Sequence, residues 1–579
     1  MTVQLSSSKS GSSAQPADET NPPEMLDRYL HAIQAHFTGF ISPVSLLLAF
    51  ADWQLHLANS PARCLELMKI AGRQWARLAN PEAWIEPAPQ DHRFGDKAWS
   101  RPPFNFMSQA FLLGEEWWCA ATNFLPGVTK SHSDMVAFAT RQTLDIISPS
   151  NCPWTNPEVL RATKERRGQN LMDGFRNFLD DAERITDRDH PNRSTKFEVG
   201  KAVATTPGKV VFRNALMELI QYAPVTELVR PEPILIVPAW IMKYYILDLS
   251  PKNSFIQHLV SQGYTVFCIS WRNPGPELRN TTLDDYRRLG VMAALDAVDE
   301  IAGRRKIHAC GYCLGGTLLS IASAAMRRDG DERIATLTML AAQTDFTEAG
   351  ELQLLTDESQ LALLDDVMWL QGFLDATQMA GTFQMLHSSD LIWSRLVKTY
   401  LIGERDTPND LMAWNEDATR MPFRMHSEYL RNLFLHNDLA EGRYMVEEKP
   451  VAISEITAPN FAVSTETDHV APWRSVYKIH LLNEGEVTFV LTSGGHNAGI
   501  VSEPGHSNRH FRIAHRAPNE PYLAAEAWET VADKRDGSWW PSYVDWLGSY
   551  STARTVVPPL GTGNYPVLGD APGIYVRER

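Results

Sequence analysis

The sequence predicts an α/β fold with a mainly parallel sheet, preceded by a mainly α-helical N-terminal domain. After residue 194, short apolar runs rich in β-branched residues alternate with segments suited to helices. This alternation is typical of βαβ units and of a parallel sheet covered on both faces. Before residue 194, apolar side chains instead recur at helical spacing. We therefore divide the chain into a tail (1–24), a helical domain (25–194) and a sheet domain (195–579).

The N-terminal part is predicted to begin as a tail and continue as packed helices. Residues 1–24 are polar and follow no apolar period, so they cannot bury enough surface to become ordered. Further helices are predicted over 106–147 and from Thr155 or Asn156 to about Ile185, where X-Pro steps precede a capping residue. Over 25–78, apolar stripes predict helices that pack through Leu46, Ala49, Trp53 and Leu57 and through Leu65, Met68, Ala71 and Trp75.

In the sheet domain, six apolar runs predict strands. Helical segments over 254–262 and 283–301 separate the earlier ones. The interval 344–450 is mostly helical and interrupts the sheet, so we expect it to form a cap that controls access to the site. The alternative is a helical decoration without a gating role. The predicted strands are 233–240, 264–271, 305–312, 335–342, 459–468 and 487–496.

A cysteine marks the passage from the third predicted strand to a helix. Cys313 lies in the pattern G-x-C-x-G-G, a nucleophile elbow with cysteine in place of serine, where small neighbours let the backbone turn sharply. The N-terminus of the following helix favours a thiolate and can stabilise an oxyanion. Two alternatives remain at this point. The residue is a small buried apolar side chain, or Cys310 and Cys313 form a C-x-x-C redox or metal site.

The last two predicted strands end in an acid and a base. The order Cys313, Asp468, His496 is that of the α/β-hydrolase triad, which predicts an α/β-hydrolase-type sheet with a helical cap insertion. The histidine would take the thiol proton, and the carboxylate would fix its tautomer. His469 is an auxiliary or competing base. The predicted oxyanion donors are the backbone N–H groups of Leu314 and of one residue among Ala239, Trp240 and Ile241.

Composition narrows the possible partners. The chain has 54 basic and 69 acidic residues, a formal net charge of −15, which argues against binding nucleic acid through phosphate neutralisation. Its six cysteines are scattered, so a disulfide framework is not expected. The N-terminus lacks the pattern of a secretory signal, and no apolar run is long enough to span a bilayer. We therefore expect a protein of a reducing compartment.

Several motifs together resemble the polyhydroxyalkanoate synthases, most closely the single-subunit class I enzymes, poly(3-hydroxybutyrate) polymerases. The resemblance runs from about Arg93 to Trp546, and its nucleophile, acid and histidine fall on Cys313, Asp468 and His496. The motifs are FGDKAW (94–99), SPSN and TNPE (148–158), ATTPGKVVFRN (204–214), VPAWIMKYYILDL (237–249), SWRNP (270–274), GYCLGGT (311–317), WNEDATRMP (414–422), TDHVAPW (467–473), GGHNAG (494–499) and GSWWP (537–541).

The resemblance implies polymerisation of (R)-3-hydroxyacyl-CoA, with 3-hydroxybutyryl-CoA as the expected short-chain substrate, and release of coenzyme A. It implies no cofactor, because the CoA thioester is itself the substrate. It also implies a homodimer in the cytoplasm, associated with the growing polyester and the granule surface. The alternatives are a thioesterase or polymer depolymerase on the same fold, or a granule-binding protein without activity. A thiol nucleophile favours the synthase, since it exchanges one thioester for another.

This chain departs from the family pattern in three places. Gly275 follows SWRNP where an acidic residue is common, and Glu277 is the carboxylate that would substitute for it. Ala239 stands where a second proline is common, and GGHNAG (494–499) stands where a more apolar sequel is common. The last two differences suggest a divergent class I branch. The sequence does not show where coenzyme A docks. Lys243, Arg272 and Arg474 lie near motif loops, but ordinary surface charge is the preferred interpretation of each.

Overall fold

The computed structural model describes residues 22–87, 91–123, 125–186, 195–386 and 388–579. The predicted tail lies outside these residues except for its last three, which belong to the first helix. The division at residue 194 stays a prediction. Within the described residues up to 186, the α-helices are α1 (Pro22–Phe37), α2 (Pro43–Ala58), α3 (Pro61–Leu78), α4 (Phe104–Thr122), α5 (Lys130–Ile146), α6 (Pro157–Glu165) and α7 (Gln169–Thr186).

Local signals explain where these helices start and stop. The Asn156 side chain accepts hydrogen bonds from the backbone N–H groups of Glu158 and Val159, so the predicted capping residue is confirmed. Gly168, with φ of +83°, separates α6 from α7. The stripe predicted for α3 is wrong in part. Leu65, Met68 and Trp75 are exposed, and the helix buries Leu67, Gln74 and Leu78 instead.

Eleven strands of the described chain form one sheet. They are β1 (Gly208–Arg213), β2 (Met217–Tyr222), β3 (Ile234–Val237), β4 (Val266–Trp271), β5 (Ile307–Tyr312), β6 (Ile334–Leu340), β7 (Asn460–Thr465), β8 (Val487–Thr492), β9 (His510–Arg516), β10 (Asp533–Asp536) and β11 (Gly569–Asp570), in the order β10-β9-β8-β7-β6-β5-β3-β4-β2-β1-β11. Two-residue strands outside this sheet pair at Leu228–Val229 with Thr555–Val556, Phe373–Leu374 with Met421–Pro422, and Met445–Val446 with Lys449–Pro450.

The centre of the sheet is parallel, and its flanks are antiparallel. β4, β3, β5, β6, β7 and β8 are parallel neighbours, and they correspond to the six predicted strands. β2, β1 and β11 on one side and β9 and β10 on the other pair antiparallel, and the sequence did not predict them. Five of the six central strands are buried along their whole length, as expected for strands covered on both faces.

Helices cover both faces of the sheet and fill the insertion between β6 and β7. Their bounds in the described residues are α8 (Phe255–Ser261), α9 (Leu283–Asp285), α10 (Ala293–Ile301), α11 (Leu314–Arg328), α12 (Glu358–Gln371), α13 (Ala376–Leu386), α14 (Ser394–Leu396), α15 (Asp410–Asn415), α16 (Phe423–Tyr429), α17 (Trp473–Tyr477), α18 (Ile479–Leu482), α19 (Ala525–Val531) and α20 (Trp540–Ser549). π-helical turns extend several of them, over Tyr286–Met292, Ser388–Trp393, Val397–Ile402 and Leu430–Leu435.

The insertion shares its apolar core with the N-terminal helices. Ala32 and Ala35 of α1 are buried against Leu363 and Val367 of α12. A second cluster joins α2 and α5 to the segment before α12 and to the end of α13. The Gln360 side chain strengthens the first contact, since it accepts from Ser42 N–H and donates to the Phe40 carbonyl. The insertion is therefore held from two sides, by the sheet and by α1 to α7.

Nowhere in the ranges given above is a helix both long and apolar enough to cross a bilayer.

Candidate active site

The turn from β5 to α11 holds Cys313 in a conformation that few residues adopt. Its φ of 52° and ψ of −125° lie outside the regions favoured by side-chain-bearing residues. The flanking glycines explain how this turn is tolerated. A Cβ on Gly311 would lie 2.3 Å from the Gly316 Cα, and one on Gly315 would lie 2.1 Å from the Val237 carbonyl oxygen. The backbone of α11 thus approaches both β5 and β3 more closely than any larger residue permits.

Hydrogen bonds fix the elbow between two strands. The Cys313 N–H donates to the Leu340 carbonyl at the end of β6, at 2.8 Å, and its carbonyl accepts from Gly316 N–H at 2.9 Å. The residue is buried, and its side chain opens on a cleft. Because Cys313 directly precedes the first turn of α11, that turn's free N–H groups favour negative charge on the sulfur or on a substrate oxygen.

Asp468 is oriented by the backbone that follows β7. One carboxylate oxygen, Oδ1, accepts from the N–H groups of Val470 and Ala471 at 2.9 and 2.8 Å. The other, Oδ2, lies 2.7 Å from Nδ1 of His496. The Asp468 side chain is fully buried, so its charge is balanced by these donors and not by solvent. This arrangement fixes the orientation of the His496 ring and places a proton on Nδ1, the nitrogen that faces Asp468.

His496 is the side chain that connects Asp468 to Cys313. Its Nδ1 is bonded to Asp468, and Cys313 lies close enough to the ring to influence its pKa. Burial alone would lower the pKa of His496, but the Asp468 carboxylate and a negative charge on Cys313 raise it to about 10. The surroundings of the ring therefore favour its protonated form. The neighbouring Tyr312 supports this geometry, because its hydroxyl donates to Asn497 at 2.5 Å and its ring packs against that of His496.

The structure brings His496, and not His469, to the Asp468 carboxylate. His469 is exposed, whereas Asp468 beside it is buried. The backbone carbonyl of His469 faces Gly350, whose Cβ position lies 2.4 Å from it. The role of His469 as an auxiliary base stays a prediction.

A cleft opens above Cys313, and most of its lining is apolar. We call its two sides the floor and the roof. The floor consists of lining residues from the sheet domain outside the insertion, namely Ile241, Cys313, Leu314, Thr317, Ala341, Gln343, Val470 and Ala471. The roof consists of lining residues from the insertion, namely Phe346, Leu352, Met379, Met421, His426, Tyr429 and Phe434.

The loop after β3 reaches the floor beside the elbow. Leu314 and Ile241 both line the cleft with Cys313. Trp240 of the same loop is buried, and its ring centroid lies 5.4 Å from that of Tyr286. Thr419 of the WNEDATRMP motif holds this loop, because its side chain donates to the Trp240 carbonyl at 2.5 Å and its N–H donates to the Ile241 carbonyl at 3.1 Å. Two carbonyl groups are thereby tied to the insertion, which leaves the loop's N–H groups as the candidate donors on the floor.

The sequence reasoning missed two polar residues of the roof. His426 and Tyr429 lie three residues apart in α16, and both are buried at the cleft. Burial lowers the pKa of His426 to about 3. Burial, with a smaller effect from charge on Cys313, raises the pKa of Tyr429 well above its usual value. In the sequence, the three-residue spacing of the two ring side chains predicts only that they share one face of a helix, and it does not predict what that face contacts.

Cys310 and Cys313 are both free thiols, and their surroundings differ. Cys310 lies in the middle of β5 without exposure, beside the Tyr543 hydroxyl of α20. Burial raises the pKa of the Cys310 thiol to about 12. Among the side chains that the structure describes, no group of three or more His, Cys, Asp or Glu is placed to hold a metal ion. The C-x-x-C alternative gains no support from this geometry.

Basic residues near the motif loops already have partners in the protein. Lys243 is buried, which corrects its interpretation as a surface charge, and its ammonium donates to the carbonyls of Tyr575 and Glu578. Arg272 pairs with Glu277 at 3.2 Å. The Glu277 carboxylate also occupies the space beside Gly275, since a Cβ there would lie 2.3 Å from Glu277 Oε2. Glu277 thus supplies an acidic group next to the position where the family pattern has one.

Family models cover most of the chain. Residues 90–259 match the model described as poly-beta-hydroxybutyrate polymerase (PhaC) N-terminus, and residues 21–63 match poly-beta-hydroxybutyrate polymerase N terminal. Residues 232–503 match the alpha/beta hydrolase fold, which confirms the fold predicted from the order of the triad residues. A solved monoacylglycerol lipase from Paleococcus ferrophilus aligns with 58% of this chain and 99% of its own, at 13% identity and a TM-score of 0.33.

Three curated relatives are similar over nearly their whole length. A poly(3-hydroxyalkanoate) polymerase of Methylorubrum extorquens is 40% identical over 539 residues, which span 90% of this chain and 88% of the relative. The poly(3-hydroxyalkanoate) polymerase subunit PhaC of Rhizobium meliloti is 37% identical and spans 93% and 90%. The corresponding subunit of Cupriavidus necator is 34% identical and spans 88% and 87%.

Proposed function

The chain belongs to the poly(3-hydroxyalkanoate) polymerase family, whose members are acyltransferases, and we propose that it polymerises (R)-3-hydroxyacyl-CoA with release of coenzyme A. One observation carries the proposal. A thiol at a nucleophile elbow lies beside an imidazole that is hydrogen-bonded to a buried carboxylate, and the thiol opens on a mostly apolar cleft. This is the arrangement that activates a sulfur nucleophile.

In the first step, His496 takes the proton of the Cys313 thiol, and the thiolate attacks the thioester carbonyl carbon of the substrate. The Leu314 N–H, with one N–H of the Trp240–Ile241 loop, stabilises the oxyanion of the tetrahedral intermediate. Coenzyme A leaves as its thiolate and takes the proton back from the imidazolium. The acyl group is then a thioester on Cys313, so it remains activated for transfer.

In the second step, the C3 hydroxyl of one acyl unit attacks the thioester carbonyl of another. Its proton passes to His496 or, with the imidazole as intermediary, towards Asp468. A carbon–oxygen ester bond forms, a carbon–sulfur bond breaks, and the released thiolate takes up the proton. The buried position of Cys313, Asp468 and His496 supports this step, because water in the same place would give hydrolysis.

Two features support a small acyl unit and a synthase over a hydrolase. Large side chains of the roof, such as Phe346, Met379 and Phe434, narrow the cleft above Cys313. A thioesterase or depolymerase on the same fold needs a path for water to the acyl-enzyme, and the lining near Cys313 is mostly apolar. These observations favour short-chain substrates such as 3-hydroxybutyryl-CoA and favour transfer to a hydroxyl.

Besides the substrate, the proposed partners are the growing polyester and the surface of its granule. The proposed location is the cytoplasm, and the proposed assembly is a homodimer. The exposed apolar side chains of α3, Leu65, Met68 and Trp75, support contact with an apolar surface. This part of the proposal rests on family membership for its choice of partner.

The experiment measures CoA release with a thiol reagent and sizes the product. Purified protein is given (R)-3-hydroxyacyl-CoA substrates of four to ten carbons. We expect release of coenzyme A with an insoluble polyester, at the highest rate for the shortest substrate. Release with only free hydroxy acid as product would identify a thioesterase. No release at any chain length would overturn the enzymatic proposal and leave a granule-binding role.

A further inference from the structure

The roof carries two polar side chains, His426 and Tyr429, and the hydrogen bonds of one of them, His426, are not completed within the described part of the chain. The other polar residues of the cleft besides Cys313 are already bonded within the protein. Thr317 donates to the Gln343 carbonyl at 2.8 Å, and the Gln343 side chain donates to Val470 and accepts from Ser475. His426 differs, since its Nδ1 is fully buried and has no hydrogen-bond partner in the described part of the chain.

The protonation state of His426 follows from its surroundings. Burial keeps the imidazole neutral, because its pKa is lowered to about 3. A neutral ring has one N–H group, and an unpaired buried N–H is rarer in proteins than an unpaired acceptor. We therefore assign the proton to Nε2, which makes His426, as a residue of the cleft lining, the candidate donor of the roof. Tyr429, whose ring centroid lies 6.0 Å from that of His426, adds a hydroxyl at the same wall.

The proposed substrate has only two oxygen atoms in its acyl unit that need partners. The carbonyl oxygen belongs to the floor, where the N–H groups beside Cys313 lie. The remaining oxygen is on C3, two carbons from the thioester carbon, and the other roof residues (Phe346, Leu352, Met379, Met421 and Phe434) offer it no hydrogen bond. A polar group buried in an apolar site without a partner is costly, so a site that receives this oxygen needs a donor for it.

We propose that His426 and Tyr429 bind the oxygen on C3 of the acyl unit carried by Cys313 and so orient that unit in the cleft. The inference rests on the proposed function and deepens it, since it names the residues that distinguish a 3-hydroxyacyl from a plain acyl thioester. Both residues are positioning residues, because they hold an oxygen that neither forms nor breaks a bond during acylation of Cys313.

The test compares two substrates that differ only in this oxygen. (R)-3-Hydroxybutyryl-CoA and butyryl-CoA both have a thioester that Cys313 can attack, and only the first has an oxygen on C3. Single-turnover CoA release gives the acylation rate for each substrate. We expect His426→Phe to lower the rate with the hydroxylated substrate about tenfold, the size of one neutral hydrogen bond, and the rate with butyryl-CoA less than twofold.

Conservative variants separate positioning from folding. His426→Gln keeps a donor near the position of Nε2 and is expected to restore most of the preference for the hydroxylated substrate. Tyr429→Phe removes one oxygen atom only, and it decides the question if His426→Phe does not fold. His480→Phe is the matched control, because His480 is a second buried histidine with no hydrogen-bond partner for either ring nitrogen in the described residues, and it lies outside the cleft.

The possible results lead to different conclusions. An equal loss with both substrates in His426→Phe and Tyr429→Phe means that the residues only support the fold, and it overturns the inference. An unchanged ratio of the two rates in both variants overturns it as well. If wild-type protein releases coenzyme A from neither substrate, the proposed function fails, and the inference fails with it.

Discussion

The floor and the roof of the cleft are built on different principles. Floor residues lie at the ends of parallel strands, and the backbone fixes them. Cys313 is held by the elbow, and Asp468, which lies beside the floor, is held by two N–H groups that follow β7. Roof residues lie in the insertion, on helices, on the two-residue strand Met421–Pro422 and in loops, and one helix continues as the π-helical turn Leu430–Leu435. The difference teaches that the proposed nucleophile and acid are positioned by the sheet, whereas the lining opposite them comes from the insertion.

The largest expected effect comes from removing the sulfur of the floor. Cys313→Ala should lower CoA release by a factor of about 10⁴ or more, because the described lining of the cleft contains no second thiol. Cys310→Ala is the matched control in the preceding strand, and it should cost about 1 kcal/mol of stability while activity stays near that of the wild type. Equal damage from both variants, with intact folding, would show that the two thiols act as a pair.

The next effect concerns the carboxylate. Asp468→Asn keeps the size of the side chain but no longer favours the imidazolium form of His496, so kcat should fall by a factor of about 100 or more. Glu466→Gln is the control two residues away, where the carboxylate pairs with His510 at 3.0 Å. That variant should change kcat less than twofold. A large loss of kcat in Glu466→Gln would indicate that the acid of the site is Glu466 and not Asp468.

The elbow itself can be tested through its glycines. A Cβ at Gly315 would meet the Val237 carbonyl at 2.1 Å, so Gly315→Ala should separate α11 from β3 and cost about 3 kcal/mol of stability, with loss of activity. Gly114→Ala in α4 is the control, since a Cβ there has open space, and it should gain up to about 1 kcal/mol. Thermal unfolding measures both. A tolerated Gly315→Ala would mean that the floor is less rigid than its contacts indicate.

The smallest expected effect is a dependence of stability on pH. The pKa of His496 is about 10 in the folded protein, above the value of about 6.5 for an unfolded histidine. The extra stability is therefore fully present below pH of about 6.5 and is lost as the pH rises through about 10. The melting temperature of the wild type minus that of His496→Gln should fall over this range. A melting-temperature difference that does not change with pH would contradict the raised pKa of His496 in the folded protein.

The sequence predicted the elbow and the central strands because local chemistry determines them. The glycines around Cys313 are required by contacts within a few residues or with an adjacent strand, and the six central strands are apolar because both faces are covered. Asp468 and His496 each follow such a strand, and parallel strands bring their carboxyl ends to one edge.

Other elements could not be predicted because their partners are distant or their patterns are polar. β2 contains the buried Glu218, which pairs with Arg213 and accepts from Ile574 N–H, so its apolar pattern is interrupted. β10 consists of four exposed charged residues. The roles of His426 and Tyr429 depend on where α16 lies above the sheet, and nothing within α16 specifies that position.

The shared core of the insertion and α1 to α7 bears on protein engineering. Ala32 and Ala35 pack on Leu363 and Val367, and α2 and α5 pack on the ends of the same insertion. A chimera that exchanges residues 344–450 alone between two relatives would join surfaces that did not evolve together. Exchange of the first seven helices along with that segment keeps both halves of the interface, and it is the unit to transplant when a new substrate range is sought.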